Sequence, residues 1–159
     1  PVCWRLLTSE PIDTNEQMLA VVDHYRCRWM IEEYFKALKT GCAVENRQVE
    51  SVGALLNLMA VSIPIAWQLL MLRFLSRDNG EAPGDDLLPP RQLRVLRLAC
   101  KTLPAAPTRR EVLMAVAALG GHIKNNGDPG WQVLARGYDD LLLLERGYAL
   151  STLKNCDQS

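Results

Sequence analysis

Residues 25–39, YRCRWMIEEYFKALK, sort into two chemically distinct faces only when wound as a helix. At 100° per residue, Tyr25, Arg28, Glu32, Lys36 and Lys39 fall within roughly 80° of one another and form a polar stripe. Cys27, Ile31, Tyr34, Phe35 and Leu38 share another face, at the spacing expected of a helix packed against a core. The stripe carries one carboxylate, Glu32, among three cations and a phenol, whereas a solvated face tends to match acids and bases. An acid between cations stays ionised and can take a divalent metal, and the cations are placed to hold phosphate oxygens. The plainer reading is an amphipathic helix with two i, i+4 pairs, Arg28 with Glu32 and Glu32 with Lys36.

Most of the remaining chain also reads as helix. Asp13 with Glu16 suggests a capping box opening a helix over about 14–39, ending at Gly41, in a pattern that leaves room for a break near Asp23 and His24. Residues 52–77 are apolar nearly all round, which predicts a buried helix bent at Pro64 with Trp67 in the core. The segment 78–90, rich in Gly, Pro and Asp, reads as a linker whose Asp85 and Asp86 are turn residues. Pro90 can open a helix to about residue 100 with Leu93, Leu96 and Ala99 or Cys100 inward. Thr108 with Glu111 makes another capping box, for a helix over about 109–119 that stops at Gly120 and Gly121. The exception is PVCWRLLTS, where Val2, Trp4 and Leu6 alternate with Cys3, Arg5 and Leu7 and predict a strand over residues 2–8. A lone strand leaves its backbone unpaired, so its partners are expected in an upstream part of the same protein.

Charge and cysteine usage narrow the function classes. The net charge is zero, so contact with nucleic acid has to rest on local patches. Residues 91–110 offer one, with Arg91, Arg94, Arg97, Lys101, Arg109 and Arg110 before the first acid at Glu111; Arg47 is another candidate for DNA contact. Cys3, Cys27, Cys42, Cys100 and Cys156 are scattered and odd in number, which fits a reducing cytoplasm better than a disulfide framework or zinc site. His24 and His122 lack companions at metal-ligand spacing. Residues 55–72 approach membrane-spanning length, but Asn57, Ser62, Pro64 and Gln68 interrupt them, and a core helix without membrane contact is expected.

The spacing of Tyr25, Arg28, Glu32 and Lys39, with the filled-in run RWMIEEYFKALKTGC, resembles the Tyr-Arg-Glu-Lys signature of insertion-sequence transposases related to the transposase of transposon five. The tail is similar too: Gly120, Gly121, Asp128, Pro129, Gly130, Trp131 and Gly137 match the family's closing turn and Trp-containing helix. Ala135 stands where a second tryptophan is frequent, and Tyr138 where another aromatic is usual.

The resemblance implies a mainly α chain that is the C-terminal fragment of an RNase-H-like α/β catalytic core followed by helices. Residues 1–77 would complete the core, 78–90 would link, and 91–159 would form the helical dimerisation region, with the dimer contact itself from about residue 108. It also implies that Glu32 is the third acid of an Asp-Asp-Glu set binding two magnesium ions, with manganese able to substitute, and that the two aspartates lie upstream. Tyr25, Arg28, Lys36 and Lys39 would hold phosphates of the transposon end, and Trp29 either stacks on an extruded base or packs in the core. The implied partners are transposon-end DNA, target DNA and a second copy of the protein, in a bacterial cytoplasm and on the nucleoid. Without the resemblance, the alternatives are a non-enzymatic all-helical dimerisation module or a DNA-binding module without chemistry.

Overall fold

The computed structural model describes residues 3, 5–123 and 127–156. The chain is mainly helical: α1 Asn15–Lys36, a π turn Ala37–Gly41, a 3-10 turn Val44–Asn46, α2 Val52–Asp78, α3 Pro90–Ala99, α4 Arg109–Leu119 and α5 Trp131–Cys156. Among the described residues no strand forms: Cys3 and residues 5–8 adopt no regular structure, and Val2 and Trp4 lie outside the described residues. The expected strand over 2–8 is therefore absent where it can be examined. A single extended segment has no backbone partner here to hold it as a sheet.

Helix α1 starts one residue later than the sequence pattern suggests. Thr14 is the cap: its side chain accepts from the Gln17 backbone, and the Gln17 side chain accepts from the Thr14 and Asp13 backbone N–H groups at 3.1 and 2.8 Å. No break occurs at Asp23 or His24. The helix ends before residue 39, because the backbone widens at Ala37–Gly41 into a π turn closed by Cys42 N–H donating to the Ala37 carbonyl at 3.0 Å. The wider turn puts Ala37 and Leu38 into the core and brings Gly41 against α2 and α5. A Cβ at Gly41 would stand 3.2 Å from Leu69 Cδ1. Ala43, at φ 52°, then reverses the chain.

The core is one continuous cluster. It is built from the π turn, the inner side of α2 (Ala66, Leu69, Leu70, Leu72), Leu87 and Leu88, α3 (Leu93, Val95, Leu96), α4 (Val112, Leu113, Val116) and α5 (Trp131, Leu134, Tyr138, Leu141). The segment between α2 and α3 is tied into this core: Gln68 Nε2 donates to the Leu87 carbonyl at 2.6 Å, and Gly84 N–H donates to the Pro107 carbonyl at 2.8 Å. Asp85 and Asp86 sit there as ion-pair partners of Arg97 and Arg109. The capping box of α4 forms between Thr108 and Glu111. Helix α3 runs as anticipated from Pro90, with Cys100 as its C-cap, and turns Leu93 and Leu96 inward as expected, while Ala99 is exposed and Cys100 half-buried.

Two burial expectations fail. In α1 no residue is fully buried: Cys27, Ile31 and Phe35 are exposed, and Met30 and Tyr34 make the partial contact with the core. In α2 only one side is buried, and Trp67, expected in the core, is 54% exposed. The physical reason is that α1 and the first half of α2 have neighbours on one side alone, so apolar side chains on the other side find nothing to cover them. By length and composition α2 is also apolar enough to cross a membrane. Pro64 lies inside α2 without ending it, and the nearby carbonyls of Ser62 and Ile63 accept from Cys42 Sγ at 3.6 Å and Tyr34 Oη at 3.3 Å.

Candidate nucleic-acid interface on helix α1

Three members of the polar stripe stand together on α1. The Arg28 guanidinium lies 5.5 Å from the centre of the Tyr25 ring and 3.3 Å from Glu32 Oε1, making a phenol, guanidinium and carboxylate ladder along one side of the helix. The Arg28 and Glu32 side chains keep 55% and 40% of their surface. Glu32 thus lies within reach of solvent and of an incoming group, fixed from one side by a cation.

Lys36 and Lys39 depart from the expected arrangement. Lys36 Nζ pairs with Glu33 Oε1 at 2.7 Å, and Lys39 Nζ pairs with Glu45 Oε1 at 2.9 Å in the 3-10 turn. The stripe therefore does not hold one carboxylate alone among cations, because Glu33 and Glu45 supply two more at its lower end. Glu33 was legible as the i−3 neighbour of Lys36. Glu45 was not, because its approach to Lys39 depends on the π turn and the reversal at Ala43. These pairs are largely solvated, and exposed ion pairs contribute only about 0–1 kcal/mol, so a phosphate oxygen can replace either carboxylate at little cost.

Trp29 faces elsewhere. It is about half exposed and helps line a pocket of about 230 Å³ with Arg26, Met30, Glu33, Arg73, Phe74 and Trp131. There the Arg73 guanidinium stacks over the Trp131 ring, 4.4 Å from its centre, and burial followed by the neighbouring Arg77 charge lowers the Arg73 pKa. This cation-aromatic contact was not foreseen, since it joins residues 58 positions apart. Arg47 also finds an acid, acting on the Asp139 carboxyl, whose pKa is raised chiefly by burial and then by Asp140.

No group of three or more His, Cys, Asp or Glu side chains placed to hold a metal ion occurs among the described residues. Glu32 can give a divalent ion a carboxylate oxygen, and an octahedral site needs further oxygens from another part of the protein or from water. The residues present thus fit a contribution to a metal site and do not constitute one. No protein-family model matches the chain.

Proposed function

We propose that the chain is the C-terminal part of a cut-and-paste DNA transposase whose α1 supplies the third catalytic acid. The observation that carries this reading is the ladder of Tyr25, Arg28 and Glu32: the residue types of the transposase signature, in its spacing, gathered on a solvent-reachable helix side. Glu32 would hold one oxygen on a magnesium ion. Together with two upstream aspartates the bound ions would activate an attacking hydroxyl and stabilise the leaving oxygen. Arg28 orients the Glu32 carboxylate and, with Tyr25, offers donors to a phosphate beside it. Lys36 and Lys39 exchange their carboxylate partners for phosphate oxygens when DNA arrives.

The uncovered side of α2 supports an RNase-H-like core completed from upstream. Val52, Leu56, Ile63, Trp67 and Phe74 are all exposed, and at 100° per residue they lie within about 40° of a common line. A stripe that long and apolar needs a covering layer, and an upstream sheet would supply one. In this reading the helices from about residue 108 pair two copies, so that each acts on the DNA end held by the other. The competing reading, a helical dimerisation module without chemistry, draws on the same uncovered stripe.

The two readings separate in an excision assay with the complete protein. Glu32→Gln, which keeps size and loses charge, should abolish excision, whereas Glu33→Gln should retain it. Excision by the Glu32→Gln variant at the wild-type level would refute the catalytic assignment. The chain alone should not nick DNA with magnesium present.

A further inference from the structure

The outer face of α3 carries a set of cations that the site on α1 does not use. Six basic residues lie between positions 91 and 110, and the structure divides them into two sets. Arg97, Arg109 and Arg110 are neutralised by Asp85, Asp86 and Asp128. Arg91 and Arg94 on α3, and Lys101 in the turn directly after it, are exposed and make no ion pair or hydrogen bond with any described residue. Glu145, the acid that α5 turns toward α3, is engaged by Gln92 Nε2 at 3.1 Å. The inner face of the helix is fixed by Leu93, Val95 and Leu96 in the core, so the two arginines are held outward on a packed element.

We infer that this face is a second contact for duplex DNA, separate from α1, that grips the phosphate backbone without reading sequence. The proposal rests on the reading of the chain as a DNA-handling protein but uses none of the α1 residues. Charge complementarity selects the partner. Ten residues of helical rise span about 15 Å, along which B-form DNA presents about nine phosphates, so three long cationic side chains each meet one without a fixed register. Leu98, exposed beside Arg94, offers no hydrogen-bonding group that would read a base edge. Phosphate contacts of this kind position a duplex and leave specificity to other contacts.

The test is fluorescence anisotropy of the chain with a labelled random-sequence duplex, as salt is raised from about 50 to about 200 mM. Each phosphate contact contributes close to −0.9 to the slope of log affinity against log salt, so R91Q/R94Q/K101Q should flatten it by between about 2 and 3. Over that salt range the wild type should lose about forty-fold more affinity than the triple variant. A second variant, R136Q/R146Q, removes two exposed cations of α5 and should leave the slope unchanged. A third, R28Q/K39Q, tests the α1 site, and its failure to alter binding would count against the proposed function while leaving the α3 contact standing. An unchanged slope in R91Q/R94Q/K101Q, an equal fall in R136Q/R146Q, or displacement of the duplex by polyglutamate of matched charge would overturn the inference.

Discussion

Replacing Gly137 with alanine should force α4 and α5 apart, because the two helices cross with backbone touching backbone. A Cβ built on Gly137 would stand 1.9 Å from the Val116 carbonyl oxygen and 2.9 Å from the Gly120 nitrogen. Gly120 meets the same difficulty from the other side, its Cβ falling 2.0 Å from the Val133 carbonyl oxygen. Clearing the Gly137 contact requires a separation of about 1 Å, and a gap of that order forfeits a quarter to a half of each affected dispersion contact. The packing at risk is that of α4 against α5, whose Val112, Leu113, Val116, Leu134 and Leu141 are all buried. Overpacking of this kind costs about 3 kcal/mol at the upper end of its usual range, and alanine returns about 1 kcal/mol of helix propensity. The net loss should be about 2 kcal/mol, read as a fall of about 1 M in the urea midpoint at unchanged slope. Gly147 provides the control. It lies on α5 with nothing within 4 Å of its Cβ, so Gly147→Ala should stabilise by about 0.5–1 kcal/mol. If both variants shift the midpoint equally, the close crossing is not what sets the stability of this helix pair.

Two further outcomes follow from burial and charge. Trp67→Gln should cost only about 1 kcal/mol in urea denaturation, since just over half of the side chain is exposed, whereas Leu69→Ala, fully buried two residues on, should cost about 2–5 kcal/mol. A large loss from Trp67→Gln would show that its face of α2 is covered in the isolated chain. The pKa values of Asp86 and Asp128 are lowered, chiefly by hydrogen bonds from Arg109 and Arg110 respectively. A depressed folded-state pKa gives stability that is present above the unfolded value near 4 and is lost as pH falls through the folded one. Asp139 acts in the opposite sense, because burial disfavours its charged form and acid relieves the penalty. The double change Asp86→Asn, Asp128→Asn should therefore flatten the acid-side loss of stability seen in a pH series of thermal melts. The effect should be small and salt-sensitive, since the Asp86 and Asp128 side chains keep 50% and 40% of their surface.

Local chemistry was legible where it depends on neighbours in sequence. The Thr108 and Glu111 capping box needs only four consecutive residues, and it forms. At α1 two overlapping patterns competed, Asp13 with Glu16 and Thr14 with Gln17, and the second won because the Gln17 amide oxygen receives two backbone donors at once. The ladder of Tyr25, Arg28 and Glu32 was readable from helical spacing because all three lie within unbroken α1. The place of Lys39, inside the π turn, was not. A π turn shifts every later residue around the axis, and the packing it makes, with Gly41 set closely against Leu69 and Ala135, is tertiary. The same limit applies to α2, whose composition states how apolar it is and not which neighbours cover it. Ala135 illustrates the converse. Its buried place beside Gly41 leaves little room for the tryptophan that the resemblance would put there.

The proposed role of Glu32 as a metal ligand can be read out by iron-mediated backbone cleavage. Ferrous ion replacing magnesium in the complete protein reduces added hydrogen peroxide to hydroxide and hydroxyl radical, ascorbate returning the iron to the ferrous state; the radicals cut the chain within a few ångströms of the ion, and the fragments are mapped by mass spectrometry. Cutting is expected in α1 around Glu32, suppressed by excess magnesium and lost in Glu32→Gln with the fold intact. Cutting confined to other parts of the protein, or unchanged around α1 in the Glu32→Gln variant, would contradict it.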